Sequence, residues 1–98
     1  MKYGFTIPGS GPLSAPESMR ALVRRGEDLG FDTVVCPDHI VFPKDISSPY
    51  PYNPEAVHPG TIGGACLDQL TVLAFIAGQT TTLRLGTSVM IVPHRNPI

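Results

Sequence analysis

The stretch Asp28-Leu29-Gly30-Phe31-Asp32-Thr33-Val34-Val35-Cys36-Pro37-Asp38-His39 decides the reading of this 98-residue chain. Gly30 stands where a left-handed residue stops a helix, and Phe31 after it can pack back on the last turn. Thr33 to Cys36 is a short run rich in β-branched residues, as expected of a strand buried on both faces. Pro37 ends that strand. Asp38-His39 therefore lies immediately beyond a buried strand, where the backbone is held rigidly.

Working outward, Tyr3 to Ile7 reads as a first strand, closed by Pro8-Gly9-Ser10-Gly11-Pro12. Ser14-x-x-Glu17 has the capping-box pattern of a helix start. The helix that follows carries Met19, Leu22, Val23 and Leu29 on one face and Arg20, Arg24, Arg25, Glu27 and Asp28 mostly around the other. On the far side, the chain from Pro37 to about Ala65 has no period, and Pro43, Pro49, Pro51, Pro54 and Pro59 break any helix. A loop of that length is usually functional or disordered. A second helix is predicted from about Asp68 to Gln79, apolar on most sides, and a long third strand from Leu83 to Val92.

The order β, α, β, α, β predicts an α/β fold with right-handed crossovers and a parallel sheet. Asn96-Pro97 is the N-cap and N1 signature of a third helix, one residue before Ile98. The expectation is a single partial domain over residues 1–98, truncated at the start of that helix. The rival is a complete small α/β protein stabilised by oligomerisation.

Composition narrows the function. Seven Lys+Arg against eight Asp+Glu give no basic field for nucleic acid or an anionic membrane. The longest mainly apolar stretch, Leu70 to Ala77, is far below the roughly 20 residues of a membrane span. Pro8 interrupts the N-terminus before a signal-peptide apolar segment develops. A cytoplasmic protein is the expected default. Cys36 and Cys66 have neither C-x-x-C spacing nor the density of a disulfide scaffold.

In parallel α/β folds the sites gather on loops after the strand C-termini. All three histidines fall there: His39 and His58 after strand two, His94 after strand three. Histidine in such a place can serve as general acid or base. Asp38 reads equally as a partner in that chemistry or as a local turn bonded to its own backbone. No H-x-H, H-E-x-x-H or C-x-x-C is present, so no metal site is expected. Cys36, inside a strand, reads as a small buried hydrophobe and not as a nucleophile. Gly9-Ser10-Gly11-Pro12-Leu13-Ser14 only half-resembles a dinucleotide fingerprint, since Ser14 takes the third glycine position. Phe42, Tyr50 and Tyr52 read either as an aromatic lid over a flat ligand or as the pins of a surface loop.

With these segments in view, the chain resembles the luciferase-like monooxygenase superfamily. Asp28 to Val35 with Asp38-His39 matches that family's "E-x-G-F-D-S-V-W-V-x-D-H" signature. Tyr50-Pro51-Tyr52, Leu83-Arg84-Leu85-Gly86-Thr87-Ser88-Val89 and Pro93-His94-Arg95-Asn96-Pro97 continue it in order. The Asp-His pair and the Gly-Thr-Ser-Val strand look most like the branch that uses the deazaflavin coenzyme F420.

The resemblance implies the first three strands of a (β/α)8 barrel and an oxidoreductase moving a hydride between coenzyme F420 and an organic small molecule. It implies His39 as proton donor or acceptor beside the reactive ring and Asp38 as a cofactor contact. Ser88-Val89 matches the place where relatives carry a non-proline cis peptide behind the ring. Ile91 occupies a cofactor-contacting position where deazaflavin-dependent sugar-phosphate dehydrogenases carry threonine, and Phe42 is the nearest match to their aromatic residue. The alternative within the family is an FMN-dependent monooxygenase that activates oxygen. An alternative of another class is an inert truncated chain or a module that associates through its sheet edge. Acidic and phosphate-binding residues of the family would lie beyond Ile98, and a homo-oligomer of the parent enzyme is left open.

Overall fold

A computed structural model of the chain describes residues 1–39, 49, 51 and 66–96. Phe42, Tyr50, Tyr52, His58 and Pro97, and with them the lid and the third-helix start, lie outside the described residues. The elements are β1 (Gly4–Thr6), α1 (Pro16–Asp28), β2 (Thr33–Cys36), α2 (Gln69–Ala77) and β3 (Arg84–Thr87). The strands form one sheet in the order β1-β2-β3, parallel throughout, with Phe5 opposite Val34 and Val34 opposite Leu85. This β-α-β-α-β arrangement is that of the first three strands of a (β/α)8 barrel, as expected.

Both helices cover the same sheet face. Met19 and Val23 on α1, and Val72 and Ile76 on α2, are i, i+4 pairs that stack along one side of each helix. They close on Ile7, Val34, Cys36 and Leu83 as one buried cluster. Full burial of one such side chain contributes about 1.5–3 kcal/mol. The other face of β2 departs from the expectation of burial on both sides, since Thr33 and Val35 are only half-buried. The described helices both lie on the Val34 and Cys36 side.

The start of α1 also differs from the expected capping box. Pro16 is the first helical residue, and it disfavours helical backbone at Ala15, whose ψ is 142°. Ser14 is left in a 3-10 turn, Pro12–Ser14, where its hydroxyl donates to the Gly11 carbonyl at 2.7 Å. The end of α1 matches its sequence. Gly30 has φ 79°, Gly30 N–H donates to Glu27 O at 2.9 Å and Phe31 N–H to Gly26 O at 3.0 Å. That pair of bonds is a Schellman motif, and it points the chain into β2.

α2 starts from Asp68, whose carboxylate accepts from Thr71 N–H at 2.8 Å. Its buried residues are Gln69, Val72 and Ile76, while Leu70 stays 45% exposed. β3 is shorter than the expected Leu83–Val92 strand. Its ladder partner β2 ends at Cys36, and the last bond runs from Ser88 N–H to the Cys36 carbonyl at 3.0 Å. Among the described residues no helix is long and apolar enough to cross a membrane.

Candidate functional site

The loops that leave β2 and β3 meet at the C-terminal end of the sheet. Asp38, two residues past β2, is only 4% exposed. Its Oδ2 accepts from Arg95 Nη1 at 2.5 Å and from Ile91 N–H at 2.8 Å, and its Oδ1 from Arg95 Nη2 at 3.0 Å. The local-turn reading of Asp38 is thereby replaced, because its partners stand 53 and 57 residues along the chain. The Arg95 guanidinium first, and the Ile91 N–H after it, hold the Asp38 carboxyl down at about 2. The Arg95 pKa is raised in return, chiefly by its bonds to Asp38.

Arg95 reaches further. Nη2 lies 3.3 Å from Asp68 Oδ2, so one guanidinium ties the loop after β3 to the loop after β2 and to the cap of α2. A planar fork of donors suits this three-way junction better than a lysine ammonium. Beside it, the fully buried Gln69 carboxamide donates from Nε2 to the Cys36 carbonyl at 2.6 Å and to the Val89 carbonyl at 3.0 Å. Gln69 Oε1 and Arg95 Nε are buried with no hydrogen-bond partner among the described residues.

The expected site residues fall around this frame. His39 follows Asp38 directly and is exposed, with its carbonyl accepting from the Cys66 thiol at 2.7 Å. The peptide between Ser88 and Val89 is cis, and both residues are exposed, Val89 to 72%. Ile91 is half-buried and its N–H is taken by Asp38. His94 is exposed in the 3-10 turn Val92–His94. Burial pushes the Cys36 thiol up to about 11, with the negative charge of Asp38 adding to the effect. Cys36 is thus a core residue and not a thiolate. Among the described residues no group of three or more His, Cys, Asp and Glu side chains is placed to hold a metal ion. Gly9 to Ser14 does not lead directly into a helix, since α1 starts at Pro16.

Three residues of the frame were not singled out by sequence: Arg95, Asp68 and Gln69. Arg95 sits inside the Pro93–Pro97 segment, which marked a loop without saying what the guanidinium pairs with. Gln69 is an amide standing directly before the mainly apolar run Leu70–Ala77. That polar outlier was the available signal.

The arrangement offers an exposed imidazole beside a locked carboxylate, and an exposed apolar side chain on backbone held by two buried groups. Comparison with known proteins agrees with this topology. The sequence model of the luciferase-like monooxygenase family matches residues 1–98. Uncharacterised proteins of Mycobacterium bovis and of two Mycobacterium tuberculosis strains are each 29% identical over 76 residues, 78% of this chain and 26% of theirs. The match thus spans about a quarter of those relatives' length. With the family match running over the whole sequence, the chain belongs to the luciferase-like monooxygenase family.

Proposed function

We propose that the chain carries the β1–β3 part of the cofactor site of an oxidoreductase that uses coenzyme F420 on a small organic substrate. The observation that carries this reading is the exposed His39 held next to the buried, Arg95-bound Asp38, at the same sheet end as the exposed Val89. A flavin-type ring needs an apolar surface for its face and polar groups at its edge. Val89 offers the first, while Ser88 and His39 offer the second, so the residues present fit such a group. When bound, the deazaflavin supplies hydride transfer. Asp38 and Arg95 keep the loop rigid, and His39 gives or takes a proton at the imidazole.

Ile91 favours one second reading within the family. It has no side-chain hydroxyl to offer where deazaflavin-dependent sugar-phosphate dehydrogenases carry threonine, which leaves an FMN-dependent monooxygenase as the alternative. Titration of the protein, expressed from its complete reading frame, with F420 and with FMN separates the two. Saturable binding of F420 with little oxygen uptake supports the first reading. FMN binding with oxygen consumption supports the second, and binding of neither removes both.

A further inference from the structure

We infer that Gln69 is a positioning residue, whose buried carboxamide fixes the 88–91 backbone to the end of β2 and so preorganises the surface that receives the ring. The inference rests on the cofactor reading above. Gln69 Nε2 spans two carbonyls from different segments: Cys36, the last residue of β2, and Val89, beyond β3. The Cys36 carbonyl also accepts Ser88 N–H, so the amide ties together strand ends that the ladder joins by that single bond. Two residues past Val89, Ile91 N–H is held by Asp38. The segment is thereby fastened at Val89 by Gln69 and at Ile91 by Asp38, and the exposed rim residues Ser88 and Val89 stand at and just before the first of these fastenings.

The other atom of the amide argues that the donor is what matters. Gln69 Oε1 is buried without a partner among the described residues. An unsatisfied buried acceptor is a cost that methionine, of similar volume and shape, would avoid. A glutamine kept only to fill space would carry that cost for nothing. Gln69 touches the backbone of the site and not the substrate, so its effect passes through Val89 and Ser88.

The test uses Gln69→Met in the protein expressed from its complete reading frame. Hydrogen exchange of the 88–91 amides is read without cofactor, and binding of F420 and of FMN is read by fluorescence. Loss of the two bonds should speed exchange at Ile91 N–H about tenfold and weaken binding of the preferred cofactor about tenfold, with the bound chromophore's visible band shifted. Thermal stability should change little, because the Oε1 orphan is removed while the Val89 carbonyl loses its Gln69 donor. Unchanged exchange overturns the inference, and so does faster exchange with unchanged binding. Should Gln69→Met not fold, Gln69→Asn replaces it, one methylene too short to span both carbonyls, with the same two losses expected. Failure of the wild-type protein to bind either cofactor overturns the functional reading itself and is seen before any variant is made.

Discussion

The Asp38 carboxylate and the Arg95 guanidinium meet through both of their arms, Nη1 on Oδ2 at 2.5 Å and Nη2 on Oδ1 at 3.0 Å. This contact joins the loop after β2 to the loop after β3. A buried ion pair is weak support for stability in itself, but removal of one partner leaves a charge with no compensation. Arg95→Met should therefore lower the melting temperature more than the double variant Arg95→Met with Asp38→Leu. Thermal unfolding of the two single variants and the double completes the cycle. A double variant less stable than Arg95→Met would show that the pair is not coupled in this way.

Gly26, on α1, lies against the ring of Phe5. A Cβ at position 26 would stand 2.4 Å from Phe5 Cε1 and 2.6 Å from Cζ, closer than carbon atoms approach. Phe5 cannot swing away freely, because it packs edge-on against Phe31 with ring centroids 5.3 Å apart. In an open helix Gly→Ala gains about 1 kcal/mol, but overpacking costs about 1–3 kcal/mol. Gly26→Ala should be destabilising by about 1 kcal/mol net. In a Phe5→Leu background the same change should become neutral or favourable, a reversal that chemical denaturation would detect.

Much of this was legible in the residues. The β-branched run Thr33–Cys36, stopped by Pro37, fixed a strand; Gly30 fixed a helix end; their order fixed the parallel sheet. What failed did so where a local signal met a stronger neighbour. Ser14 and Glu17 have the right spacing for a capping box, but Pro16 moves the helix start past Ser14. Leu83 to Val92 reads as one long strand, yet a strand lasts only as long as its hydrogen-bonding partner, and β2 stops at Cys36. The site was legible as a place and less so as a set of contacts. Asp38-His39 and Ser88-Val89 could be found by pattern, whereas the pairing of Asp38 with a residue 57 positions away depends on how two loops converge.

Glu27 supplies a pH-dependent term at the other end of the sheet. One carboxylate oxygen accepts from the Thr80 hydroxyl, from Thr81 N–H at 2.9 Å, from Thr82 N–H at 2.7 Å and from the Thr82 hydroxyl at 2.8 Å. The Thr80 hydroxyl first, then Thr82 and Thr81, lower its pKa from 4.5 to about 2. A group depressed in the folded state stabilises fully above its unfolded pKa, and that contribution is lost as pH falls through the folded value. Glu27→Gln should thus melt at a lower temperature than wild type at pH 7. The difference should narrow between pH 4.5 and about 2. Melting curves across that range would refute the assignment if the gap stayed constant.

The division of labour between Asp38 and His39 leads to the last prediction. Asp38 is ionised at any pH above about 2, with its oxygens turned to Arg95 and Ile91, so it has no proton to give near neutrality. Its neighbour His39 is exposed at the rim and belongs to a residue type suited to proton transfer. On the proposed reading, proton work falls to the imidazole and rigidity to the carboxylate. His39→Ala should lower turnover by about 10²–10⁴ and change cofactor affinity by less than about threefold. Because the position is open to solvent, added imidazole should restore part of the rate, a rescue that a purely structural histidine would not show. Turnover within about twofold of wild type would remove His39 from the chemistry. The proton would then have to come from another residue, with His94, exposed in the turn after β3, the next to substitute, and the His39 imidazole would be a feature of the surface alone.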